Sequence, residues 1–140
     1  MRFWDTSAIV PLILDEAAAA PVDRSYIDLP MFVWWGTIVE ATSAISRRER
    51  AGALSIEAAS ESLTLLADMA MRWIEVPASE PVRRAAQRLV RTHILRAADS
   101  LQLAAALTVA ASQPEGVEFV CRDTRLAEAA GREGLKIRPN

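Results

Sequence analysis

Cysteine and histidine are almost missing from this chain: Cys121 and His93 are its only examples. One cysteine cannot form an intrachain disulfide, and with one histidine no zinc site of the usual Cys and His kinds can be assembled. Any bound metal must therefore be held by oxygen. Long hydrophobic runs are missing too. The apolar stretch from Leu101 to Ala111 is interrupted by Gln102 and Thr108, and it falls short of the roughly 18 consecutive apolar residues that a membrane span requires. The N-terminus passes from Arg2 through a short apolar stretch to Asp5, which leaves no apolar core or cleavage site of a signal peptide. A cytoplasmic protein is expected. Phosphate loops of the Gly-Lys type, internal repeats and low-complexity tracts are also absent.

What is present reads as one globular domain spanning residues 1–140. Of the 140 residues, 51% are hydrophobic and 24% charged, the balance of an ordinary chain that can bury one core. The formal net charge of −2 argues against a nucleic-acid binder if only the sum counts, because affinity for phosphate backbones comes largely from Lys and Arg. Where the charges lie matters more than their total.

Strand and helix patterns alternate along the chain. An apolar strand, Met1 to Trp4, stops at Asp5-Thr6-Ser7, where Thr6 or Ser7 is expected to cap a helix from Ala8 to Leu14. A loop containing Pro21 and Pro30 leads to a strand at Met31 to Trp34. A helix then runs from about Gly36 to Arg50, with Ile38, Ala41 and Ile45 on one side. Gly52 ends it, Ser55 caps the next helix to about Arg72, and Trp73 to Val76 reads as a third strand. Ser79 opens a helix to about Thr92. The segment from Ala98 to Ala111 is so apolar that it must be nearly buried. After a turn at Pro114 and Gly116, a strand at Val117 to Cys121, a helix at Arg125 to Ala130, a break at Gly131 and Gly134, and a strand at Leu135 to Arg138 finish the chain. Successive parallel strands need crossovers, and those are usually helices. The expected class is α/β: a three-layer α/β/α sandwich around a mostly parallel sheet.

Four acids stand out against this background. Asp5 and Asp123 follow strands, and in open parallel sheets the carboxyl ends of the strands form the ligand crevice. Each is also a common cap or turn former when taken singly. Glu40 sits among Ile38, Val39 and Ala41, where an uncompensated charge costs several kcal/mol; a partly exposed Glu supporting Arg47 is the plainer reading. Asp99 opens a helix whose remainder carries no charge, and stabilising that helix end through the macrodipole would be worth about 0.3–1 kcal/mol. If the four converge they repel one another unless a cation holds them, and Mg²⁺ or Mn²⁺ is the natural occupant of an all-oxygen cage. Such an ion beside a phosphodiester supports its hydrolysis without a histidine or a nucleophilic side chain.

Four stretches carry a resemblance to a known family: Phe3 to Val10; Ile38-Val39-Glu40-Ala41 with Arg47 to Arg50; Ala98-Asp99-Ser100-Leu101-Gln102-Leu103-Ala104; and Phe119 to Leu126 leading to Ala129, Gly134 and Leu135. In order and spacing this set resembles the PIN-domain nucleases, and within them the VapC toxins of bacterial toxin–antitoxin pairs. The resemblance implies a PIN-like sandwich and a metal-dependent endoribonuclease acting on tRNA or ribosomal RNA. It implies Asp5, Glu40 and Asp99 as principal catalytic and metal-binding acids, Asp123 as the fourth, and Ser7 as a supporting hydroxyl. It further implies a small cognate antitoxin, whose Arg or Lys could compete with the metal, and a homodimer. Cys121 departs from the Thr or Ser common in relatives.

Arg47, Arg48 and Arg50, together with Arg84, Arg88 and Arg91 at helical spacing, could form a positive surface for a phosphate backbone or simply a solvated helix face. His93 is expected to pack or to cap a helix end, and Trp34 and Trp35 to pack in a core or interface. A phosphatase with an Asp nucleophile would want a second Asp where Ser7 stands, and a receiver domain a Lys placed differently from Lys136. The remaining competitor is a PIN-like module that binds RNA or protein without catalysis.

Overall fold

A computed structural model describes residues 1–14, 30–113 and 115–138; Pro21 of the expected loop and Pro114 of the expected turn lie outside them. The elements are β1 (Arg2–Trp4), α1 (Thr6–Leu14), β2 (Met31–Trp34), α2 (Thr37–Arg50), α3 (Ile56–Ala70), β3 (Trp73–Val76), α4 (Glu80–Thr92), α5 (Ala97–Ala111), β4 (Glu118–Val120), α6 (Thr124–Arg132) and β5 (Lys136–Arg138). The described residues form a five-stranded sheet in the order β3-β2-β1-β4-β5, parallel at every pairing. The α/β sandwich expected from the sequence is present.

Side-chain alternation along each strand sends neighbours to opposite faces of the sheet. Phe3, Trp34, Val76 and Phe119 pack with Leu89 of α4, Leu103 of α5 and Leu126 of α6. Trp4, Met31, Val33, Trp73 and Val120 pack with Ile9 of α1, Ile45 of α2 and Leu66 of α3. Three of the described helices thus cover each face of the sheet, which is why its short strands read as nearly continuous apolar runs. Helix α5 is the most deeply sunk, with Leu103, Ala104, Ala105 and Ala106 wholly buried. No helix among the described residues is long and apolar enough to cross a membrane.

The ends of α2 and α6 follow one rule. Gly52, at φ +74°, donates to Glu49 O while Ala53 donates to Arg48 O; Gly134, at φ +89°, donates to Gly131 O while Leu135 donates to Ala130 O. Both are Schellman closures, which need a left-handed residue just past the helix. Gly131, expected to share the break, lies inside α6 instead.

Other expectations shift for physical reasons. Of the core or interface expected for the two tryptophans, Trp34 takes the core, whereas Trp35 is 54% exposed and lies outside it, because a residue after the strand no longer alternates inward. Arg84 joins Arg83 in gripping Glu80. Arg88 donates twice to Glu133, at 2.9 and 2.6 Å. Those two cations are spent on the protein's own acids rather than offered to a phosphate backbone. His93 caps the end of α4 and meets the same Glu133 at 2.7 Å; the Arg88 guanidinium, helped by His93 and opposed by burial, holds the Glu133 carboxyl down at about 2.

Truncating Leu103 to Ala is expected to cost about 2–5 kcal/mol, because the cavity left in a wholly buried site cannot close. Met71→Ala, at an 85% exposed position, should stay within about 0.5 kcal/mol. Urea denaturation of the two variants checks the contrast.

Candidate functional site

Strand order reverses at β1: the chain goes from β1 to β2 and β3 on one side, then returns to place β4 on the other. Crevices at the carboxyl ends of parallel strands open at such a switch point. Asp5 is the first residue beyond β1, and its N–H donates to Val120 O at the end of β4, 3.0 Å away. Asp123 follows three residues after β4 as the cap of α6. Glu40 reaches the crevice from the first turn of α2 and Asp99 from the first turn of α5. All four line one open cavity of about 780 Å³, together with Arg47, Arg48 and Arg96.

Asp5 is only 4% exposed. It, rather than Thr6 or Ser7, begins α1: its carbonyl accepts from Ala8 and Ile9, and its Oδ2 accepts from the Ser7 N–H at 2.9 Å. Burial, reinforced by the Glu40 charge and opposed by Ser7 hydrogen bonds, lifts its carboxyl to about 6. The Cys121 thiol donates towards Oδ2 at 3.6 Å and is itself pushed up to about 12 by burial and by Asp5. Cys121 is therefore a neutral thiol packed beneath the first acid.

Thr6 and Ser7, released from capping, do other work. Ser7 Oγ accepts the N–H groups of Arg122 at 3.0 Å and Asp123 at 3.2 Å, tying the β4–α6 loop to the start of α1. Thr6 Oγ1 donates to Glu40 Oε2 at 3.0 Å, and Gln102 Nε2 donates both to that oxygen at 2.9 Å and to Thr6 Oγ1 at 2.6 Å. Gln102 is 1% exposed, and its Oε1 has no partner. This link among α1, α2 and α5 was missed in the sequence, although a glutamine inside an otherwise apolar, buried helix is the available signal.

The four acids share a cavity but do not close into a cage. Among the described residues, no group of three or more His, Cys, Asp or Glu side chains is arranged to hold a metal ion. Asp99 Oδ2 accepts the Arg96 N–H at 3.3 Å and Asp123 Oδ1 accepts the Leu126 N–H at 2.9 Å. Mutual repulsion favours such positions, where helix N-termini supply the compensating charge. Each of these two carboxylates keeps its second oxygen outside its cap. On donor chemistry the set fits a hard divalent cation: every donor is a carboxylate oxygen, and Asp5 is dehydrated beside a second acid.

No protein-family model matches the chain. It is similar to Ribonuclease VapC45 of Mycobacterium tuberculosis (strain CDC 1551 / Oshkosh), at 29% identity over 146 residues, covering 98% of this chain and 94% of the relative. The same identity and coverage hold for Ribonuclease VapC49 of Mycobacterium tuberculosis (strain ATCC 25618 / H37Rv). Among solved structures, VapBC-1 from nontypeable Haemophilus influenzae matches with a TM-score of 0.59, covering 99% of this chain and 96% of that one at 15% identity. At that identity the likeness speaks to the fold.

Two outcomes are expected at this site. A carboxyl whose folded value is raised from 3.8 to about 6 binds a proton on folding between those values. Stability therefore falls as pH rises through that window and stays lower above it, by up to about 3 kcal/mol. In metal-free protein Asp5→Asn should be stabilising by that order at pH 8 and close to neutral at pH 4, as read by urea denaturation. At Gln102, the Glu variant, which faces Glu40 with a second carboxylate, should melt below the Leu variant.

Proposed function

We propose that this chain, a VapC-type protein of PIN-like fold, is a metal-dependent endoribonuclease and the toxin of a type II toxin–antitoxin pair. The observation that carries the reading is the meeting of Asp5, Glu40, Asp99 and Asp123 in one cavity at the sheet's switch point. The naming of its curated relatives as VapC ribonucleases supports the activity. Structured RNA, such as tRNA or ribosomal RNA, is the substrate class.

Asp5, Glu40, Asp99 and Asp123 are the residues that would hold Mg²⁺ or Mn²⁺, which when bound supplies an activated water and neutralises charge on the phosphodiester. The protein's contribution is to prepare its ligands. Burial leaves Asp5 without hydration, so its charge is compensated only when a cation arrives. Thr6 and Gln102 hold one Glu40 oxygen and leave the other uncommitted. The caps at Asp99 and Asp123 likewise hold one oxygen each. Ser7 acts by positioning, since it fixes the Asp123 loop against α1. A small antitoxin could silence such a site by inserting an Arg or Lys among the carboxylates. Exposed apolar side chains, including Ile56 and Met71, are in keeping with a homodimer.

Purified protein freed of any partner is expected to cut total RNA with Mg²⁺ or Mn²⁺ and to stop in excess EDTA; undiminished cutting there sinks the metal assignment. Asp99→Asn should lower the cleavage rate by roughly 1000-fold, the equivalent of several kcal/mol of lost charge stabilisation, with an unchanged circular dichroism spectrum. Mapping the fragment ends identifies the RNA.

A further inference from the structure

The chain's sixteen basic residues include a single lysine, Lys136, and two groups of four stand out among the described arginines. Arg2, Arg83, Arg84 and Arg88 are engaged by Glu118, Glu80 and Glu133. Arg96, Arg122, Arg125 and Arg132 have no ion pair among the described residues, and all four are exposed. The second group is not scattered. The acid cavity shares Arg96, Asp99 and Asp123 with a groove of about 620 Å³ that adds Arg122 and Arg125. That groove shares Arg125 and Glu128 with a further depression of about 350 Å³ that reaches Arg132. Arg125 and Arg132 are seven residues apart on α6, hence on one face of the helix and about 10 Å apart along it.

Resting on the ribonuclease reading of the acid cavity, we propose that this groove is the path of the RNA strand leaving the acids, with its phosphates held by Arg96, Arg122, Arg125 and Arg132. Each guanidinium is a rigid fork that matches phosphate oxygens and stays charged. A phosphate seated among the acids must have its neighbours within a few ångströms, and the only acid interrupting the groove beyond the site itself is Glu128. The net charge of −2 conceals a local separation: four acids meet in the cavity, and Arg96, Arg122, Arg125 and Arg132 lie along the groove beside it. An acidic protein segment would meet the same charges, but RNA is favoured because a phosphate seated at the acids carries further phosphates along the adjoining surface at regular spacing. The groove therefore sets substrate length and affinity, and the acids set chemistry.

The test measures binding of a fluorescent, unpaired 20-nucleotide RNA to metal-free protein across a salt series, beside Mg²⁺-dependent cleavage of total RNA by the wild type. Arg125→Gln/Arg132→Gln should weaken binding roughly tenfold and flatten the salt dependence by roughly 0.7 per arginine. Arg96→Gln should weaken binding in the same direction. Arg83→Gln/Arg84→Gln removes the same charge from the opposite group and should leave affinity within about twofold. Equal losses in both double variants, or none in the first, overturn the groove while wild-type cleavage keeps the ribonuclease reading standing. Polyglutamate that binds as tightly as the RNA, with the same sensitivity to Arg125 and Arg132, also overturns it. A wild type that neither binds nor cuts RNA overturns both.

Discussion

The carboxyl group of Asp5 is shut off from water where the strand order of the sheet reverses, and the rest of the site is arranged around that burial. A dehydrated carboxylate is unfavourable, and here a second acid, Glu40, adds to the difficulty instead of relieving it. The fold tolerates this because the surrounding structure is over-determined: Asp5 continues β1 onto β4 through its N–H and starts α1 through its carbonyl and side chain. Asp5 cannot withdraw from the crevice without undoing a helix start and a strand pairing together. That stored unfavourable charge is what a cation of the proposed kind would relieve.

The other acids reach the same cavity by different means and at lower cost. Asp99 and Asp123 are caps first: each satisfies an otherwise unpaired N–H at a helix start and rests against the positive end of that helix. Glu40 is held by neutral donors, Thr6 and Gln102, rather than by an arginine. A neutral donor fixes direction without cancelling charge, so the carboxylate keeps its charge and its second oxygen stays uncommitted. An arginine in the same place would have neutralised the carboxylate, as Arg88 does for Glu133 just past the end of α6.

Charge is thereby partitioned on the surface. Several structural arginines face acids of the fold, whereas Arg96, Arg122, Arg125 and Arg132, along the groove beside the cavity, have no ion pair among the described residues. This division explains how a chain with more acids than bases can present a surface suited to a polyanion. It also explains why helical spacing alone could not decide between a phosphate-binding face and a solvated one. Arg84 and Arg88 share a helix stripe, but Glu80 lies one turn away and Glu133 arrives from beyond α6, and only packing brings the latter within reach.

The sequence by itself determined the order and kind of the elements, because short apolar runs, caps such as Ser55 and stops such as Gly52 act through neighbours a few residues away. It also singled out Asp5, Glu40, Asp99 and Asp123 as carboxylates set at strand ends and in apolar helices. Tertiary structure alone decided that Asp5 rather than Thr6 or Ser7 caps α1, that Ser7 reaches across 115 residues to Arg122, and that Gln102 reaches across 62 to Glu40. It also decided that the acids share a cavity yet stand apart as helix caps. Those outcomes depend on which side chains and main-chain donors meet when the sheet reverses direction, and no local pattern encodes a partner whose distance in the chain is set only by the crossing of strands.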